Sequence, residues 1–545
     1  MGRVTQLPAF TRRQGASRGR SLLRTPSLPA GGPAIIPARM QGTPSRPAEL
    51  PRLLGAWSAA SILIGSVIGS GVFVKPRMVA ETLPSIGWIL ICWIAAGALS
   101  LIGSLAFAEM SSRYPNAGGQ YAYLRGSFGR FPAFLFGWTN LTIINAASCA
   151  ALACMAVEYL ANIFRLDIEV SGWAAKSLAV GLTALLTAAN AVGVLWGARI
   201  QNFLTGVKLL AIGAIIFGAV LPGRGSAANL SPFWTFRDEE MTFGKILNGF
   251  QVAFIAIFWA YDGWYLLSFS GGEIKNPRRN IPLGFTVGIL VVAAVYVLAN
   301  VAYFAAMPIG ELAAVSKDRL GGVAAVVAER FYGPVGLTLI SLGILGSMMG
   351  AANGNLLTGP RLCYAMARDR LFFRPFASVH SRFLTPAAAI GIQGVIAALC
   401  VFAGNFDDLT DSVVFAAWTF YGLTVAGLFI LRRRHPSEPG GFRMPGFPLL
   451  PAFFVLFAGV FVVYNAYEAA TKVQGVFVRY LETGVLDTTG LYPLFSTGVI
   501  LLGVPFYLYF TWRSRGAPLV EATTETLTAE DAEDAEEAQR NGTGG

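Results

Sequence analysis

The chain has 545 residues, 54% of them hydrophobic and only 13% charged, with a mean hydropathy of +0.57. A soluble domain carries about 25% charged residues, so a water-soluble globular protein is excluded and a polytopic helical membrane protein is indicated. The net charge of +11 would suit nucleic acid, but the bases gather in the N-terminal tail and in alternate loops, as membrane topology requires, and no nucleic-acid partner is expected.

Residues 1–50 hold no acidic residue before Glu49 and are rich in Arg, Pro, Gly and Ser, the composition of a disordered basic cytoplasmic tail. Such a start also resembles an organellar transit peptide, although Pro26, Pro29, Pro33, Pro37 and Pro44 oppose an amphipathic helix in its second half. Met40 is an alternative start. Residues 51–514 form the membrane domain, with twelve expected spans: 56–80, 86–110, 128–161, 172–192, 200–221, 244–270, 282–307, 334–366, 385–404, 411–431, 448–468 and 491–512. Loops after even-numbered spans carry Arg113, Arg125, Arg130, Arg199, Lys275, Arg278, Arg361, Arg368 and Arg432–Arg434, which places those loops and both termini in the cytoplasm. The opposite loops are mixed, with Asp167, Glu169, Asp238, Glu239, Glu240, Asp407 and Asp408. Residues 515–545 form an acidic, disordered cytoplasmic tail.

The first span is not a plain anchor. Residues 61–76, SILIGSVIGSGVFVKP, place Gly65, Gly69 and Gly71 with Ser66 and Ser70 where a lipid-facing helix would carry Leu. Unwound backbone at membrane depth is tolerated only where it is buried in protein or lines a cavity. A helix broken there offers free N–H groups and a positive helix end to a carboxylate. The same small-residue spacing also serves close helix packing without a ligand.

Span six repeats the device, with Asp262-Gly263 inside FWAYDGWYLLSFS (258–270) and Phe258, Trp259, Tyr261 and Trp264 around it. Asp-Gly is a turn signal, and a carboxylate at that depth needs a partner, water or a proton. Two five-span sets that each begin with an interrupted helix point to an inverted-repeat transporter with a midplane site. The expected repeats are about 56–221 and 244–432, followed by two extra helices within 448–512. Backbone N–H groups from Ser66, Val67, Ile68, Gly69, Ser70 and Gly71 would hold a carboxylate, and freed carbonyls of Trp259, Ala260 and Asp262 an α-ammonium.

The stretches IGSVIGSGVFVKP (64–76), AEMSSRYPNAGGQYAYLR (108–125), RIQNFLTGVKLLAIG (199–213), FWAYDGWYLLSFSGGEIKNPRRNIPLG (258–284) and NGNLLTGPRLCYAMARD (353–369) together resemble the amino acid–polyamine–organocation superfamily, and within it the L-type amino-acid transporters. The resemblance covers about 52–512 and neither tail. It implies an all-α fold of twelve transmembrane helices, a 5+5 inverted repeat with broken helices 1 and 6. It also implies sodium-independent exchange of neutral L-amino acids by alternating access. Substrate contacts then fall on Ser66–Gly71 and on Trp259, Ala260, Tyr261, Asp262 and Gly263, with Trp259 at the aromatic gate position and Tyr265 and Trp418 as further pocket walls. Asn353 either lines the pocket or bonds one helix to another. Lys208 either snorkels to the cytoplasmic interface or, as the resemblance implies, places its ammonium where sodium-coupled relatives hold an ion, bonded to span-one backbone.

Two departures matter. Relatives that pair with a glycoprotein subunit carry a cysteine between spans three and four, whereas residues 162–171 read NIFRLDIEVS. No disulfide-linked subunit is therefore expected, and a stand-alone carrier of the bacterial inner membrane is. Asp262 stands at a variable family position, where it either attracts cationic side chains or caps the broken helix. Glu273 either bridges to an Arg of the 113–130 loop as an inner gate or makes a surface pair, and Glu109 beside Arg113 invites the same two readings. Cys92, Cys149, Cys154, Cys363 and Cys400 lie in apolar stretches and His380 and His435 in loops, so neither a disulfide framework, a metal site nor a cofactor is expected. An enzyme is disfavoured because Lys208 and Asp262 form no catalytic cluster. The alternatives left are a proton-coupled or cationic amino-acid/polyamine permease and a non-transporting amino-acid sensor.

Overall fold

The computed structural model describes residues 52–514, apart from 53, 115–117, 165, 167, 170–171, 236–241, 316–321, 381, 384, 405, 437–440 and 484–489 and the side chains of 162, 194–199 and 479. Both expected tails, the loop acids Asp167, Asp238, Glu239 and Glu240, and the Arg199 side chain lie outside the described residues.

The described chain is helical throughout. It begins with α1 (Ala56–Val67), α2 (Gly71–Thr82), α3 (Ile86–Arg113), α4 (Gln120–Phe128) and α5 (Arg130–Thr139). A π-helical turn, Asn140–Ile144, leads without a break into α6 (Asn145–Phe164), followed by α7 (Trp173–Val192) and α8 (Val194–Val220). Then come α9 (Phe243–Tyr261), a 3₁₀ segment (Trp264–Glu273), α10 (Pro277–Ala306), α11 (Ile309–Ala313), α12 (Gly322–Thr358) and α13 (Pro360–Arg368). The chain closes with α14 (Ala387–Cys400), α15 (Phe406–Arg434), α16 (Leu449–Thr483) and α17 (Tyr492–Ser514).

Among the described residues, ten stretches are long and apolar enough to cross a membrane, and the bent pair α1–α2 makes an eleventh. The ninth expected span is only the 14-residue α14, about 21 Å of helix against a hydrocarbon core of about 30 Å. Exposed Leu449, Phe453, Leu456 and Val460 on α16 and Leu501, Leu502 and Leu508 on α17 give these two helices an apolar outer face suited to lipid.

Both expected interruptions are present. α1 stops at Val67, Ile68 leaves the helix (φ −72°, ψ 90°), and α2 starts at Gly71, bent by 43° from α1. Within α2, Pro76 has no N–H to give the carbonyl of Val72; the Tyr303 hydroxyl of α10 supplies the missing donor at 3.2 Å. α9 stops at Tyr261, Asp262 is extended and Gly263 takes φ 99°, the left-handed region that glycine enters without steric cost. A ten-residue 3₁₀ segment follows, longer than the usual three or four residues, and such stretches mark hinges. Its end is tied to the start of the domain: the Leu54 N–H donates to the Glu273 carbonyl at 2.9 Å and the Lys275 N–H to the Leu54 carbonyl at 2.8 Å. α10 packs on α1 and α3, α12 on α6 and α8, and α2 on α9, which brings the two interruptions face to face at the centre of the bundle.

Candidate functional site

A broken helix leaves carbonyl and N–H groups without intrahelical partners, and each left bare in an apolar interior costs about 1–3 kcal/mol. At the first interruption the carbonyls are supplied by other helices. The Lys208 ammonium of α8 donates to the carbonyls of Gly65 at 2.7 Å and Ile68 at 2.5 Å. The Ser347 hydroxyl of α12 lies 3.1 Å from the Ile68 carbonyl and 2.9 Å from that of Gly69. The Tyr296 hydroxyl of α10 lies 3.1 Å from the Val67 carbonyl and 2.8 Å from the Ala260 carbonyl, so one phenol bridges both interruptions. By contrast, the N–H groups of Gly69, Ser70 and Gly71 have no partner among the described residues. The break has four of its carbonyls engaged by side chains of other helices and three N–H groups open.

Lys208 is fully buried, so it does not reach an interface. Two of its three ammonium hydrogens are committed to carbonyls, charge-assisted bonds of about 1.5–3 kcal/mol each. Beside it, the hydroxyls of Ser66 and Thr205 and the Gln201 amide nitrogen are buried without a partner among the described residues.

The open donors face a narrow cleft lined by Ser66, Val67, Gly69, Ser70, Gly71, Trp259, Asp262 and Gly263, with Ser148 and Leu152 of α6 and Ala351 and Asn355 of α12. The two interruptions meet backbone to backbone. A Cβ on Gly71 would lie 2.4 Å from Ala260 Cα, and one on Gly263 would lie 2.9 Å from the Ser66 carbonyl oxygen. The Trp259 indole N–H donates to the Ser70 hydroxyl at 3.3 Å, and its ring meets Phe406 edge-on at 6.0 Å. Asp262 is held by the Tyr421 hydroxyl, which donates to Oδ1 at 2.6 Å.

Several expected site residues stand elsewhere. Ile68 and Ala260 do not line the cleft, and their carbonyls are already engaged. The Trp259 carbonyl accepts the Asp262 N–H at 3.2 Å, which leaves it less available to a ligand than the sequence suggests. The Tyr261 hydroxyl donates to the Trp93 carbonyl at 3.1 Å, turned towards α3. Tyr265 donates to Asn145 Oδ1 at 3.0 Å, and Asn145 to Asn140 Oδ1 of the π-helical turn at 2.9 Å. Trp418 packs on Phe258 (centroids 3.9 Å) and stacks on Phe454 of α16 at 5.4 Å; it braces α9 instead of walling the cleft. Asn353 accepts from Asn190 at 2.9 Å and donates to Gln201 at 3.0 Å, a helix-to-helix bond.

Glu273 pairs with buried Arg361 of α13 at 3.0 Å, and among the described residues no ion pair joins it to an Arg of the 113–130 stretch. Glu109 is no surface pair. Fully buried, it accepts from Arg113 at 3.0 Å, from Arg432 at 2.9 and 2.6 Å, and from the Met444 N–H at 2.8 Å. The sequence reading missed Tyr296, Ser347, Ser148 and Asn355. Tyr296 and Tyr303 stand seven residues apart, hence on one face of α10, and two buried hydroxyls on an apolar helix need acceptors; that spacing was the available signal.

Residues 54–486 match the amino acid permease family. The human b(0,+)-type amino acid transporter 1 is 34% identical over 394 residues, covering 72% of this chain and 78% of that protein. The serine/threonine exchanger SteT of Bacillus subtilis (strain 168) is 33% identical over 421 residues (75% and 91%), and the human cystine/glutamate transporter 32% over 471 (85% and 86%). The chain belongs to the amino acid permease family: it is an integral membrane transporter and not an enzyme.

Proposed function

We propose that this permease exchanges neutral L-amino acids across the cytoplasmic membrane of a bacterium, without sodium, by alternating access. The observation that carries the reading is the asymmetry of the first break: carbonyls taken by Lys208, Ser347 and Tyr296, and the N–H groups of Gly69, Ser70 and Gly71 open to the cleft. A substrate carboxylate accepts from those three donors at the positive end of α2. Its ammonium lies towards the second break, where the Asp262 backbone and the remaining lone pair of the Trp259 carbonyl offer acceptors. Trp259, bonded to Ser70 across the cleft, closes over the side chain.

The Lys208 ammonium supplies at the first break the fixed positive charge that a sodium ion would otherwise bring, so an ion gradient is not needed. In this reading the chain crosses the membrane twelve times, α14 included. It has repeats at about 56–221 and 244–432, extra helices after 448 and both termini in the cytoplasm, and it works without a disulfide-linked subunit. The names of its relatives, a b(0,+)-type transporter, a serine/threonine exchanger and a cystine/glutamate transporter, agree on amino acids as cargo and leave the side chain open. One observation favours a second reading: Asp262 is among the residues that line the cleft, which suits a cationic amino acid.

The test is counterflow with purified protein in liposomes loaded with unlabelled leucine, alanine, serine, glutamate, arginine or a polyamine. Neutral amino acids are expected to drive uptake of label equally in sodium and choline media. Exchange of arginine alone supports the second reading. Dependence on sodium, or binding without exchange, overturns the proposal.

A further inference from the structure

A second buried lysine has no part in that account. Lys75 of α2 is 1% exposed, and its ammonium donates to Asp407 Oδ1 at 2.8 Å and to the Thr410 hydroxyl at 3.3 Å, both on α15. It also lies 5.0 Å from the centre of the Phe406 ring. Phe406 is the ring that meets Trp259, and Trp259 is bonded to Ser70, five residues before Lys75 on the same half-helix. Ser70, Trp259, Phe406 and Lys75 thus form a closed circuit joining α2, α9 and α15 beside the cleft.

We propose that the Lys75–Asp407 pair is the latch of this circuit, and that the cleft opens past Trp259 only when the pair parts. The inference rests on the alternating-access reading. Three features give the pair the character of a latch. α2 packs along α9, α11 and α12 and meets α15 chiefly through this side-chain contact, so the pair parts without tearing a packed interface. Asp407 is 55% exposed while Lys75 is 1% exposed, so water already reaches one partner and stands ready to replace the other, which keeps the cost of parting small. The remainder of α2 is held independently, through Tyr303 on the Val72 carbonyl, and does not depend on the pair for its position. Asp408 and Asp411 stand beside Asp407 on the first turns of α15, so the positive charge of Lys75 also offsets a cluster of carboxylates there. Lys75 is a positioning residue: it acts on substrate entry through Trp259 and does not line the cleft.

The experiment uses the full chain in liposomes with Ser148→Cys as a reporter inside the cleft, read by the rate of its modification by a charged methanethiosulfonate. Lys75→Met and Asp407→Asn are each expected to raise that rate about fivefold, the population shift that a half-exposed ion pair commands. The charge swap Lys75→Asp with Asp407→Lys should return it towards the parent value. Joining Lys75→Cys to Asp407→Cys with a short, reducible bifunctional methanethiosulfonate should stop exchange, and reductant should restore it. Equal modification rates in parent and single variants, or a cross-linked protein that exchanges at full rate, would overturn the proposal. If Lys75→Met fails to fold, Asp407→Asn and the swap carry the same test. Because the modification rate is read without transport, a failure of the exchange reading leaves a separate signature: a rate that responds to the latch in a protein that moves no substrate.

Discussion

At the first interruption four carbonyl oxygens are engaged by side chains from three other helices and the N–H groups of Gly69, Ser70 and Gly71 are left open, whereas at the second the Trp259 carbonyl is closed within its own turn and Asp262 is among the residues lining the cleft. The Ile68, Gly69 and Gly65 carbonyls depend on Lys208 and Ser347. The Trp259 carbonyl is satisfied by its own turn, and Asp262 is held by Tyr421. In the proposed reading, one break holds the group that every amino acid carries and the other sits where side chains differ, so general affinity and selectivity would be divided between two interruptions that approach each other at Gly71 and Gly263.

The strongest way to break this comparison is to remove the cation. Lys208→Met strands the buried Gly65 carbonyl, at about 1–3 kcal/mol, and leaves that of Ile68 to the Ser347 hydroxyl alone. Loss of exchange and a marked fall in melting temperature are expected, and added sodium should restore neither. Gly71→Ala is next. Its Cβ would lie 2.4 Å from Ala260 Cα, so the two breaks must separate; Gly69→Ala meets Ala351 Cβ at 3.4 Å, an ordinary contact. Exchange should fall at least about tenfold in the first and within about threefold in the second, since only the first disturbs the backbone approach. Tyr296→Phe removes the hydroxyl that both breaks share. A loss of about 1–2 kcal/mol in stability and a several-fold slower exchange are expected, measured by thermal unfolding and counterflow. The smallest effect on general transport is expected of Asp262→Asn. Neutral exchange should stay within about threefold, while competition by arginine, if the parent shows it, should weaken by about tenfold, a loss of about 1.4 kcal/mol.

Much of this division was legible in the sequence because it is written locally. Glycines crowd into residues 65–71 and Asp262-Gly263 interrupts an apolar span, and both mark backbone that cannot continue as a lipid-facing helix. Lys208 was legible for the same reason, a charge among Val207, Leu209 and Leu210. The misplaced residues depend on which helices become neighbours. Glu273 carries no mark of Arg361, and Trp418 faces α16 because α15 turns that side outward from the cleft. Lys75 passed unnoticed because it sits beside Pro76 near the end of the first span, where a lysine reads as an interface residue. In the fold its ammonium is met by Asp407 and Thr410 of α15.

The division between the breaks is tested most directly by asking whether the cleft needs a carboxylate. Counterflow of a labelled neutral amino acid would be measured against rising concentrations of the same amino acid and of its amide, which keeps the ammonium and the side chain. The open N–H groups of Gly69, Ser70 and Gly71 predict that the amide competes at least about tenfold more weakly, the loss of one charge-assisted hydrogen bond. Equal competition by the amide would contradict the assignment of the first break as the carboxylate site.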